Sequence, residues 1–214
     1  MQDSIKPVKE KVKRDRKATE EAILAAFEVV LLREGIQGLG VNAVAQEAGV
    51  NKVLIYRYFQ DFNGLARQWV GMGSFWPSEL ELIGGDPAAF EEKSVQERVC
   101  EVLVNYLDGI RARPRTVEML AGELLNPNDL SRVLAEGLVR PGKGVAEFIK
   151  QESIDQDISD KVWGLIYIIS ATATFLSVRE RNNPDFLGLD LRDDETWAFF
   201  RKIIADMAIS YLKS

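Results

Sequence analysis

Residues 41–60 read VNAVAQEAGVNKVLIYRYFQ, and the fold turns on this window. Two short helices that cross steeply need particular residue types at fixed offsets. Apolar side chains are needed between the helices and stand at Val44, Ala48, Val50, Ile55 and Tyr58. A small residue is needed at the closest approach, and Ala45 supplies it. The turn needs a residue that takes a left-handed backbone cheaply, and Gly49 stands there. The window therefore reads as a helix-turn-helix; the plainer alternative is a helical hairpin with no ligand. In a helix-turn-helix the second helix enters the major groove with its N-terminal end toward the base edges. On that geometry Asn51 and Lys52 are donors for phosphate or purine edges, while Val53 and Leu54 offer only apolar contact, for which a thymine methyl is the natural partner. Tyr56 and Arg57 reach phosphates and Tyr58 packs inward. Asn42, at the start of the first helix, suits a backbone phosphate.

Working outward, Ile23, Ala26, Phe27, Val30 and Leu31 recur at helical spacing and predict an amphipathic helix before the motif. Thr19 reads as its N-cap and Gly35 as its stop. In front lies a basic arm: residues 1–17 carry a net charge of +4, residues 18–70 carry −2 and residues 71–214 carry −8. A basic arm on an acidic body predicts that one end meets a polyanion, here double-stranded DNA, with Lys11, Lys13 and Arg14 following the phosphate backbone or a minor groove. A solvated tail is the bland alternative.

Beyond the motif the helical pattern continues over about 63–72, 88–111, 114–125 and 157–181, and from Asp193-Asp194-Glu195 to Leu212. Breaks fall at Asn126-Pro127-Asn128-Asp129, at Arg140-Pro141-Gly142-Lys143-Gly144 and at Asn182-Asn183-Pro184. No stretch alternates with period two, so the fold class is all-α. The chain has no histidine and a single cysteine, Cys100, which excludes a Ser-His-Asp or Cys-His pair and a Cys/His zinc site. No enzyme, metal site or cofactor is expected. Gly38-Leu39-Gly40-Val41-Asn42-Ala43 imitates a dinucleotide fingerprint but follows a helix instead of a strand. The basic N-terminus has no apolar stretch behind it, and the apolar run Val162–Leu176 is interrupted by polar residues, so neither a signal peptide nor a membrane span is expected; the location expected is cytoplasmic.

The stretch from Thr19 to Leu65 resembles the DNA-binding domain of the tetracycline-repressor (TetR/AcrR) family. The matching segments are TEEAILAAFEVVLLREG at 19–35, VNAVAQEAGVNK at 41–52 and IYRYF at 55–59. The resemblance implies a three-helix DNA-binding domain followed by a larger helical domain for ligand binding and dimerisation. It implies a homodimeric regulator, in most cases a repressor, released from operator DNA by a small molecule. It also places Asn42, Asn51, Lys52, Tyr56, Arg57 and Tyr58 at or beside the DNA. This chain departs from the pattern at Gly40, where a Thr or Ser cap is usual, and at Val53 and Leu54, where a small residue and Thr or Ser are usual. It departs again at Phe62, in place of a phosphate-binding lysine, and at Glu20, in place of arginine.

The expected organisation is an arm over 1–17, a DNA-binding domain over 18–66 and a ligand-binding and dimerisation domain over 67–214. An effector pocket should be mainly apolar with few polar anchors. Its candidate lining is Trp69, Phe75, Trp76, Val104, Met119, Leu120, Glu123, Trp163 and Tyr167, with Glu123 as the charge expected to be buried. Candidate dimer contacts are Ile166, Ile169, Ser170, Ala173, Thr174 and Ser177 on one helix and Phe200, Ile204, Met207 and Tyr211 on the last. The function expected is a regulator on a palindromic operator, released by a small, largely apolar ligand. The alternative is a helical ligand-binding or protein-interaction dimer that has lost specific operator reading.

Overall fold

The computed structural model describes residues 6–125, 127–137 and 156–213. The expected break at Arg140–Gly144 and the first residue of the 126–129 turn lie outside the described residues. Eleven helices and one minimal hairpin are present among them: α1 (Lys6–Gly38), α2 (Val41–Glu47), α3 (Lys52–Phe59), α4 (Phe62–Val70), α5 (Glu79–Leu82), α6 (Pro87–Glu91), α7 (Val95–Arg111), α8 (Pro114–Leu125), α9 (Asp129–Glu136), α10 (Gln156–Asn182), β1 (Asp185–Phe186), β2 (Leu189–Asp190) and α11 (Asp194–Lys213). The all-α reading holds.

Local chemistry accounts for where the helices begin and end. α1 starts well before Thr19, which is an interior residue and not a cap. Pro7 stands in the first turn, where its missing amide does no harm, and the Lys-, Arg- and Glu-rich run behind it favours a helix. The regular part of α1 ends where expected, at Gly35, with φ 66° and ψ −176°. The stretch expected as one helix over 88–111 is two. Ser94 accepts from the Glu97 amide while Glu97 accepts from Ser94, and this capping box starts α7 afresh. The same device, Ser78 with Glu81, opens α5, which periodicity does not reveal. Asn128 caps α9 by accepting from the Ser131 amide. The hairpin pairs Asp185 with Asp190 and Phe186 with Leu189. Its turn residues Leu187 and Gly188 both have positive φ, 53° and 84°, as a two-residue hairpin turn demands.

The chain divides into two compact units: Met1–Gly73 with Ala121–Gly137, and Ser74–Leu120 with Leu138–Ser214. α4 lies wholly in the first unit, which also takes α9 and the end of α8. Ile23, Phe27, Val30 and Leu31 of α1, Val44 of α2, Ile55 and Phe59 of α3, and Leu65 and Trp69 of α4 are buried in this unit, as are Val133 and Leu134 of α9, the helix on which α4 packs. The Phe27 ring lies 5.3 Å from that of Trp69 and 5.7 Å from that of Phe62.

In the second unit α7 packs against both α10 and α11. Its core joins Leu103 and Leu107 of α7, Val162, Leu165, Ile169, Ala173 and Leu176 of α10, and Trp197, Ile204 and Ala208 of α11. The indole N–H of Trp197 donates to the Leu191 carbonyl at 2.6 Å, so the largest buried side chain has its polar atom satisfied. The Arg111 guanidinium lies 4.6 Å from the Trp197 ring and bonds Glu180 and Asp194. Among the described residues one helix, α10, is long and apolar enough to cross a membrane, and nearly half of that stretch is buried in the protein.

Candidate nucleic-acid interface

Two backbone hydrogen bonds make the turn after α2. The Gly49 amide donates to Gln46 at 3.1 Å and the Val50 amide to Ala45 at 3.0 Å. This paired closure needs the first of the two donors to be left-handed, and Gly49 has φ 64°. Nothing lies within 4 Å of a Cβ added at Gly49, so the glycine is required by the backbone angle and not by crowding. Asn51 then starts α3, its Oδ1 accepting from the Val53 amide at 2.9 Å. The role toward DNA expected of Asn51 leaves out this cap, for which an Asn directly before a helical run is the available signal.

The apolar positions expected between the helices divide into two sets. Val44, Ile55 and the small Ala45 are buried, while Ala48, Val50 and Tyr58 are half-buried; Phe59, outside the expected set, is buried as well. Tyr58 lies under the Arg16 guanidinium at 5.2 Å, and Arg16 also bonds Glu20 at 2.8 Å. Glu20, one of the departures from the family pattern, thus steadies a cation over the end of α3, and the bond keeps the Arg16 pKa above its ordinary value. Arg33 links α1 to α2 through Glu47 at 2.7 Å, a tie with no local sequence signature.

On the outer side, Asn42, Asn51, Lys52, Val53, Tyr56 and Arg57 are exposed, and Leu54 is half-buried. Val53 is 63% exposed and Tyr56 46% exposed. Gly40 caps α2 with no side-chain bond, as its identity requires. Phe62, where the resemblance calls for lysine, is half-buried against Phe27. Lys11, Lys13 and Arg14 belong to the helical backbone of α1, but their side chains lie outside the described residues.

The other candidate residues are scattered. Trp69 is buried in the first unit, and Glu123, the charge expected to be buried, is exposed in the same unit. The buried carboxylate of α8 is Glu118, 6% exposed, bonded to Arg181 of α10; it stands in the buried run Thr116–Leu120, where periodicity gives no cue. In the second unit Phe75, Met119 and Leu120 are buried. The Thr116 hydroxyl donates to the Phe75 carbonyl and joins that segment to α8. Trp76 is half-buried and stacks on Tyr106 at 6.4 Å. Val104 is half-buried against the unit's core. Trp163 is half-buried and stacks at 6.0 Å on Tyr167, which is exposed.

Of the candidate dimer contacts, Ile169, Ala173, Ser177 and Ile204 are buried within the protomer, so their side chains are already committed. Ile166, Ser170, Thr174 and Phe200 are half-buried, and Met207 and Tyr211 are exposed. Among the described residues no group of three or more acidic, cysteine or histidine side chains could hold a metal ion.

A helix-turn-helix behind an amphipathic helix, its second helix exposing a polar and aromatic outer side, defines the class of DNA-binding regulatory proteins. Residues 23–68 match the family model for bacterial regulatory proteins, tetR family, and over these residues the chain carries a TetR-type N-terminal domain. Comparison with curated proteins returned no match.

Proposed function

We propose that the chain binds a palindromic operator as a homodimer and represses transcription in the cytoplasm until a small, largely apolar ligand releases it. The observation that carries this reading is the outer side of α3: Asn51, Lys52, Val53, Tyr56 and Arg57 are exposed in one short helix whose other side, Ile55 and Phe59, is locked into the domain core. Asn42, Tyr56 and Arg57 hold phosphates, Tyr58 supports α3 beneath Arg16, and Lys11, Lys13 and Arg14 extend the phosphate contact along the start of α1. Two such motifs about one turn of DNA apart read two half-sites. The ligand, taken up among second-unit residues such as Phe75, Trp76, Met119 and Leu120, acts through its different affinity for the DNA-competent and released states.

Selection of bound duplexes from a random pool tests the reading, with affinity then followed against salt. The expected result is a palindrome and a steep salt dependence. Replacing Lys11, Lys13 and Arg14 with glutamine should lower the slope by about 0.9 for each phosphate that is no longer neutralised. Absence of any enriched sequence, with weak binding that disappears near physiological salt, would instead leave a helical ligand-binding or protein-interaction dimer without an operator.

A further inference from the structure

We infer that α3 reads thymine, through the methyl groups of Val53. The inference rests on the operator-binding reading above and names what that site recognises. Val53 is the second residue of α3, and its amide is held by the Asn51 side chain at 2.9 Å, which fixes it in the first turn of the helix. That turn is the part of a reading helix that approaches the base edges. Ile55 is completely buried, and two residues along a helix is a rotation of about 200°, so Val53 stands on the side away from the core. It is 63% exposed and is the most exposed apolar side chain of α2 and α3.

A valine has no donor or acceptor, so it distinguishes base pairs only by what it packs against. Among the groups that base pairs present in the major groove, the C5 methyl of thymine is the apolar one. The exposed neighbours Asn51 and Lys52 are hydrogen-bond donors and do not compete for a methyl group. Leu54 is apolar and half-buried. The Asn51 oxygen already accepts from the Val53 amide, which leaves its amide nitrogen as an outward donor. Tyr56 and Arg57, three and four residues on, are neighbours of Val53 along the helix and carry the hydrogen-bonding groups that hold the backbone in place. Val53 therefore sets a thymine in each half-site, beside Asn51 and Lys52, whose donors suit purine edges or phosphates.

The test uses the full-length protein and the operator recovered by selection. Each thymine is replaced in turn, symmetrically in both half-sites, by deoxyuridine, which lacks only the C5 methyl. One thymine position is expected to lose about fourfold in affinity per half-site, the worth of one buried methyl group, while the others change little. In Val53→Ala, whose folding is checked by circular dichroism, that position should become insensitive to uracil; in Leu54→Ala it should stay sensitive. An operator without thymine, an operator indifferent to uracil, or a uracil effect that persists unchanged in Val53→Ala would overturn thymine reading and leave operator binding standing. A chain that enriches no sequence at all would overturn the operator-binding reading itself, and thymine reading with it.

Discussion

A Cβ on Gly64 would stand 2.1 Å from the carbonyl oxygen of Phe59, the last residue of α3. Main chain cannot swing aside as a side-chain tip can, so this glycine sets how closely α4 follows α3. Asp61 completes the turn by accepting from the Gly64 amide at 2.6 Å. Alanine is the better helix former by about 1 kcal/mol, and helix propensity alone would favour Gly64→Ala. The contact reverses the sign: Gly64→Ala should destabilise the protein by about 1–3 kcal/mol in denaturant unfolding. An unchanged or stabilised variant would refute the close approach. Gly49 contrasts with it, since its need follows from the spacing of the apolar residues around it. The need at Gly64 could not be read, because the atom it avoids belongs to the preceding helix and only the folded turn brings the two together.

At the scale of elements, a helix start is legible where its signal is local. Ser78 and Ser94 each precede a glutamate by three residues, a pattern that starts α5 and α7 without help from the rest of the fold. Thr19 carries a cap signal too, yet it lies inside α1, because a cap acts only where the chain before it leaves the helix. The α5 box has a measurable pH signature. The Glu81 carboxyl accepts from the Ser78 amide at 2.7 Å, from Arg113 at 2.5 Å and from the Ser78 hydroxyl at 2.7 Å, and these bonds hold its pKa at about 2 against an ordinary 4.5. A carboxylate whose folded pKa is depressed adds stability above its unfolded pKa and loses it as the pH falls toward the folded one. Glu81→Gln should therefore lower stability at neutral pH, and the gap to the unaltered protein should narrow as pH falls from 4.5 toward 2. The Glu81 side chain is about half exposed, so the gap at neutral pH should be about 1 kcal/mol or less. Thermal unfolding across that range measures it, and a gap independent of pH would contradict the assignment.

For the whole molecule the consequential division lies within α10 and α11, where apolar residues fall into two sets. Ile169, Ala173 and Ile204 complete the protomer core, whereas Tyr167, Ile168 and Phe175 of α10 and Phe199, Ile203, Met207 and Tyr211 of α11 are exposed. The proposed homodimer draws on the second set, with Ile168 at 61% and Met207 at 51% exposure as its most accessible aliphatic members. Sedimentation at micromolar concentration should find a dimer, and Ile168→Glu with Met207→Glu should give a folded monomer. Ile204→Glu should instead unfold the protomer, because it buries a charge among Trp197 and Ala208. A monomeric unaltered protein, or a dimer indifferent to the paired change, would exclude this surface. The sequence by itself determined the helical class, the helix-turn-helix and most of its exposed side, Leu54 being half-buried, because helical period and a glycine turn act over a few neighbouring residues. The tertiary structure alone decided which of the apolar residues on α10 and α11 belong to the core, that α8 buries Glu118 against Arg181 while Glu123 stays exposed, and that Gly64 admits no side chain. Each of these depends on which side of an element another element covers, and that is settled only when distant parts of the chain meet.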